Sequence, residues 1–140
     1  MLKLIRYQLD KVYRQMKFYI PALLWVIIIT YLSAFPGHQI DLSFNFLAPD
    51  KASHFAAYGL LSVLIGWGFF KNQNENKAKE LPVKAFIIIV LFGSFYGVLM
   101  ELMQYLFLPN RYFEYGDMLA NLLGSFLGLV LIRIYCLNIK

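Results

Sequence analysis

Four long apolar stretches dominate the chain, and the polar residues that interrupt or border them fall into a few groups. Phe18 to Phe35, Ala52 to Phe70, Val83 to Leu108 and Met118 to Cys136 are each long enough to cross a hydrocarbon core of about 30 Å as a helix, which takes roughly 20 residues. They predict four transmembrane spans. The runs are apolar throughout rather than alternating with period two, which argues against a β-barrel. Ahead of the first span, Leu2, Ile5, Leu9, Val12 and Met16 recur at spacings of three and four, opposite Lys3, Arg6, Lys11, Arg14 and Lys17. Residues 1–17 therefore predict a basic amphipathic helix lying flat in the inner headgroup layer. No small-x-small cleavage site follows the first run, so an anchor is expected and not a secretory signal.

A composition that is 60% hydrophobic and only 15% charged excludes a water-soluble domain of 140 residues. An all-α polytopic membrane protein is the fold class, organised as a single domain over 1–140 without internal repeats. Orientation follows from the basic residues beside each span. The N-terminal segment and the connection carrying Lys71, Lys77, Lys79 and Lys84 belong in the cytoplasm. The other two connections hold only Lys51 and Arg111, which places them outside and returns the C-terminus, with Arg133 and Lys140, to the inside. The formal charge of +5 is thereby explained by topology, and no nucleic-acid partner is expected. Lys71 to Glu80, with Asn72, Gln73, Asn74 and Asn76, reads as a solvated connection. Cys136 is the sole cysteine, which excludes an intrachain disulfide and a cysteine-based metal site; it reads as a small buried apolar residue.

Against this background, Asp50, Lys51, His54, Glu101, Gln104, Arg111, Asp117 and Asn121 stand out, all toward the extracytoplasmic face. A charge held in hydrocarbon costs at least a few kcal/mol, so several together mark a pathway or a reaction site. Helical spacing lets them meet. Asp50, His54 and Tyr58 follow in steps of four on one face of the second span. Ser94, Gly97, Glu101 and Gln104 share a face of the third, with Tyr105 beside them. Asp117, Asn121, Gly124 and Gly128 form a stripe on the fourth, whose glycines would admit a neighbouring backbone, within the chain or in a homo-oligomer. Glu101 lies eight positions before Pro109, about 10 to 12 Å inward at 1.5 Å per residue. It needs a partner in Arg111, Lys51 or a protonated His54, a coordinated cation, or a proton of its own. A buried ion-pair network that merely fixes helix packing is the competing reading. The run from Phe35 to Pro49 is apolar for a connection; Phe44, Phe46 and Leu47 form either a lid and lipid-facing entrance or a passive interfacial link, with His38 solvated.

The strings Asp50-Lys51-Ala52-Ser53-His54, Glu101-Leu102-Met103-Gln104, and Arg111 followed by Asp117-Met118-Leu119-Ala120-Asn121-Leu122-Leu123-Gly124 resemble, in order and spacing, the VanZ-like family of small bacterial membrane proteins. The resemblance runs from Leu32 to the end of the fourth span. The family is named for a protein associated with resistance to the glycopeptide teicoplanin. It implies a multi-pass protein of the bacterial cytoplasmic membrane with a role at the cell envelope, and names no reaction.

Three chemistries remain open for the polar cluster. Catalysis on an amphipathic anionic lipid or lipid-linked cell-wall precursor would have Asp50 orient His54, and His54 or Glu101 move a proton with Asp117 nearby. Arg111 and Lys51 would hold the anionic group. Binding without reaction, of a membrane lipid headgroup, glycopeptide or precursor, would use Lys51, Tyr58, Gln104, Arg111 and Asn121. Divalent cation binding would draw on Asp50, His54, Glu101 and Asp117, whose spacing matches no established metal motif. Transport ranks lower, since four spans are few for a repeated transporter architecture unless a dimer supplies the path.

Overall fold

Hydrophobic runs of this length in a chain without water to satisfy its backbone have helix as their one open-ended solution, and every element among the described residues is helical. The computed structural model describes residues 1–34, 49–75, 81–109 and 111–139. Helix α1 covers Leu2–Met16, a 3-10 turn Lys17–Tyr19, α2 Ile20–Ser33, α3 Pro49–Glu75, α4 Val83–Phe107 and α5 Tyr115–Asn138. Among the described residues, four helices are long and apolar enough to cross a membrane, with Leu2–Ser33 counting as one of them. Prolines sit where their missing N–H costs nothing: Pro49 opens α3, Pro82 caps α4 and Pro21 lies in the first turn of α2.

Boundaries differ from the sequence reading in three places. The expected break between the amphipathic segment and the first span is absent, because no Gly or Pro intervenes before Pro21 and the backbone stays helical through the 3-10 turn. The second span starts at Pro49 and ends at Glu75, so Asp50 and Lys51 lie in its first turn, and Lys71, Asn72 and Gln73 continue the helix instead of forming the connection. Lys, Asn and Gln carry no helix-breaking penalty comparable to Gly or Pro. The fourth span starts at Tyr115, which puts Asp117 in its first turn. The proposed lid, with His38, Phe44, Phe46 and Leu47, lies outside the described residues.

Contacts between helices fix the topology. Gly59 faces Gly124, Gly66 faces Ile132 and Phe70 faces Tyr135, so α3 and α5 run parallel in constant register. Gly97 meets Asn121, Gly93 meets Ser125 and Phe86 meets Arg133, so α4 runs antiparallel to α5. Trp25 donates its indole N–H to the Ala57 carbonyl at 2.9 Å, and Phe18 and Tyr19 pack edge-on against Trp67 and Phe69, which sets α2 antiparallel to α3. The α3–α5 contact is the most extensive in the fold. Glycine makes it so: a Cβ at Gly124 would collide with the Phe55 carbonyl oxygen, and one at Gly128 with that of Gly59. The small stripe on the fourth span therefore packs within the chain, with backbone against backbone.

Polarity is inverted relative to a water-soluble bundle. Leu91, Phe95, Leu102, Leu106, Leu122, Phe126, Leu131 and Ile134 point outward, whereas Ser62, Glu101, Gln104, Asp117, Asn121 and Ser125 are buried. An exposed apolar belt around a polar interior suits lipid and not water. The core proper, including Ile29, Leu61, Ile65, Ile89, Leu129, Ile132 and the buried Cys136, fills the end away from the polar residues and the middle. Apolar residues of the α1 face, Leu2, Ile5, Leu9, Val12 and Met16, are exposed.

Candidate functional site

With α3 and α5 parallel and α2 and α4 opposed to both, the starts of α3 and α5 and the ends of α2 and α4 share one end of the bundle. That end collects the polar residues. Lys17, Lys71, Lys84 and Arg133 fall at the other end, the first two and the last lying over the rings of Phe18, Trp67 and Phe86. Tyr105, Tyr112 and Tyr115 are exposed around the polar end, the level where amphipathic rings meet a membrane–water boundary.

His54 is the centre. Its Nδ1 lies 3.1 Å from Asn121 Oδ1 and 3.9 Å from Glu101 Oε1. A carbonyl oxygen and a carboxylate oxygen on that side favour the tautomer with its proton on Nδ1, which would donate to Asn121. Nε2 points the other way, 3.8 Å from Asp50 Oδ1 and 3.7 Å from Asp117 Oδ2. Facing two carboxylates, an imidazole lone pair requires a positive partner, either a proton or a cation. Gly97 makes room for this arrangement, since a Cβ there would stand 2.8 Å from Asn121 Nδ2.

Around this core two cations make three looser ion pairs. Lys51 Nζ donates to Glu114 Oε2 at 3.3 Å and lies 3.8 Å from Asp117 Oδ1. Arg111 Nη1 is 4.0 Å from Asp50 Oδ2, and its Nε is buried without a hydrogen-bond partner among the described residues. Glu101 Oε1, Asp117 Oδ1 and Asn121 Nδ2 are likewise buried and lack hydrogen bonds. Four carboxylates (Asp50, Glu101, Glu114, Asp117) against two fixed cations (Lys51, Arg111) leave a surplus of two negative charges before His54 is counted. Glu101 and Asp117 are the buried members of the four, and a bare carboxylate there is costly, so each calls for a proton or a positive partner.

Of the sequence candidates, the structure brings Asp50, Lys51, His54, Glu101, Arg111, Asp117 and Asn121 together. Glu101 is reached by His54, and neither Lys51 nor Arg111 pairs with it among the described residues. Tyr58 lies one turn below His54, buried, with its ring 6.0 Å from that of Tyr96 and its hydroxyl unbonded. Gln104 spends its amide N–H on the Ser33 carbonyl at 3.2 Å, tying α4 to α2. Tyr105 is exposed. Glu114 escaped sequence reasoning although it is the direct partner of Lys51; lying three residues before Asp117, at the N-cap of α5, it had only its charge and position as a signal.

A family profile described as VanZ/LLP1 matches residues 18–136, which includes all of these side chains. An uncharacterized protein, C11E3.10, of the fission yeast Schizosaccharomyces pombe is 32% identical over 110 residues, covering 79% of this chain. The chain spans 59% of the length of that relative. No solved structure matches.

Proposed function

The chain belongs to the VanZ/LLP1 family, and from its polar site we propose that it is a cell-envelope membrane protein that receives the headgroup of an amphipathic anionic lipid or lipid-linked precursor. The polar end faces the extracytoplasmic side of a bacterial cytoplasmic membrane in this reading, because the lysine- and arginine-rich end belongs inside. One observation carries it: Arg111 holds a buried, unbonded Nε beside the polar cluster and only a long contact to Asp50. A guanidinium with free donors in a site ringed by tyrosines is suited to oxygens of a phosphate or carboxylate at the membrane boundary. The negative surplus deeper in the cluster keeps the anion at the mouth, on Arg111, and away from Glu101. A relative in a yeast favours a membrane lipid, common to both kinds of cell, over a cell-wall precursor.

Lipid-dependent thermal stabilisation of the purified protein tests this. Anionic lipids should raise the unfolding temperature more than zwitterionic ones, and Arg111→Ala should abolish the difference; equal stabilisation by both lipid classes in wild type would remove the reading. A second reading, catalysis, is favoured by Glu101 Oε1, which is buried, unbonded and placed 3.9 Å from a protonated His54 nitrogen. Glu101 then takes up a proton relayed through His54 from the headgroup at the mouth. Turnover in nanodiscs of native envelope lipids should disappear in Glu101→Gln and His54→Ala, and a lipid panel with no turnover eliminates this second reading while leaving binding intact.

A further inference from the structure

His54 Nε2, one oxygen of Asp50 and one of Asp117 all lie within 4.8 Å of one another. We infer that these three side chains form a divalent cation site at the mouth of the bundle, with Glu101 outside the ligand set. In its role toward a headgroup the site rests on the reading above; as a cation site it stands on the chain alone.

Geometry supports it first. A cation about 2.1 Å from two ligand atoms holds them about 3.0 Å apart at a right angle and about 3.4 Å apart in a tetrahedron. The two distances from His54, 3.7 and 3.8 Å, are a few tenths of an ångström wider, while the longest separation in the group, up to 4.8 Å, must close by about 1.4 Å, a movement that the exposed Asp50 side chain is free to make. The histidine is prepared for the task. Its Nδ1–H is engaged by Asn121, which fixes the tautomer that leaves Nε2 free to ligate, as metal-bound histidines are held. Asp117 is 1% exposed, and its second oxygen is buried without a hydrogen bond, 3.8 Å from Lys51. Such an oxygen makes sense if its carboxylate is oriented toward a stronger partner than the lysine.

Charge supplies the independent argument. With Glu101 left out, Asp50, Glu114 and Asp117 outnumber Lys51 and Arg111 by one, so a cation here meets a net negative field. Glu101 stands apart because it approaches the ring from the Nδ1 side, and no single ion reaches both ring nitrogens. Asp50 is the exposed member, with 46% of its side chain accessible, so the open coordination positions face the boundary where Arg111 waits. An anionic headgroup oxygen would then bridge the ion and the guanidinium. That resolves how a negatively charged site holds a negatively charged ligand. One imidazole with two carboxylates suits Mn²⁺ or Zn²⁺ better than Ca²⁺ or Mg²⁺, which favour oxygen throughout.

Mn²⁺ alone, titrated into the full-length protein in detergent without added lipid, provides the test. About one ion per chain should bind, and pulsed electron paramagnetic resonance should show nitrogen hyperfine coupling from a ligated imidazole. The chain has two histidines. The nitrogen signal should survive His38→Ala and vanish in His54→Ala, and Asp117→Asn should weaken binding at least about 10-fold, with a comparable loss in Asn121→Ala. Glu101→Gln should keep the stoichiometry. Should His54→Ala not fold, the wild-type and His38→Ala spectra decide by themselves. Mn²⁺ binding without nitrogen coupling, or binding untouched by Asp117→Asn, overturns the site. Lipid stabilisation that persists unchanged in chelator, with no Mn²⁺ bound by the free protein, removes the cation and spares the headgroup reading; Mn²⁺ binding without any lipid preference does the reverse.

Discussion

Asp117 divides its two oxygens between different neighbours, one toward Lys51 and the other toward His54, and almost none of it reaches solvent. Removing Lys51 leaves this carboxylate and Glu114 without their ammonium. Breaking a fully buried pair costs about 3–5 kcal/mol, and the 3.8 Å separation places this one lower, at about 2 kcal/mol for Lys51→Met in chelator. Adding Asp117→Asn to Lys51→Met should cost less than Asp117→Asn does in the wild type, which chemical denaturation of the four proteins of that cycle would measure. Additive losses would mean that the two side chains do not communicate. Arg111 offers a second contrast. Arg111→Lys should retain part of the anionic-lipid stabilisation that Arg111→Ala loses, because an ammonium keeps the charge but gives up the planar pair of donors. Residue identity was readable here from spacing: steps of four placed Asp50 and His54 on one face, and the Asp117 and Asn121 pair likewise. Glu114 was not readable, since nothing in a short connection says which way its side chain turns.

At the scale of helices, the parallel pair α3 and α5 forms the scaffold on which the site is mounted. Gly124 and Gly128 let the two backbones touch, with Gly59 contributing from the other side. A methyl group at Gly128 gains helix propensity of about 1 kcal/mol but strikes a backbone carbonyl, which cannot rotate away as a side chain could. The clash wins. Gly128→Ala and Gly124→Ala should each destabilise by about 1–3 kcal/mol in detergent unfolding, whereas Leu122→Ala on the lipid-facing side should change little. If the glycine variants unfold like wild type, the close approach is not what holds the helices together. The four spans themselves were legible, because apolar length reports membrane crossing directly. Their ends were not. Polar residues such as Asp50, Lys51 and Lys71 read as connections on hydropathy, yet hydropathy does not decide where backbone hydrogen bonding stops.

Taken whole, the molecule has a basic end and an acidic, tyrosine-ringed end, with lipid-facing Leu, Ile and Phe between them. We propose from the positive-inside rule that the acidic site lies outside. Single cysteines placed at Tyr112 and Lys84, both exposed and near opposite ends, in a Cys136→Ala background should be labelled by impermeant reagents from opposite sides of sealed vesicles. Tyr112→Cys should react from outside. Labelling of both from one side would refute the four-span arrangement, and labelling with the sides exchanged would move the site to the cytoplasm.

Sequence alone determined the solvent, the number of spans and the rows of polar side chains, because each depends on composition and periodicity along a single helix. Tertiary structure decided which rows face one another. It set Asn121 and Glu101 on one nitrogen of His54 and Asp50 and Asp117 on the other, it drew the glycine stripe inward against α3, and it gave Lys51 to Glu114. Those outcomes depend on the rotation and register of neighbouring helices, which arise from packing across the bundle and leave no periodic trace in the chain.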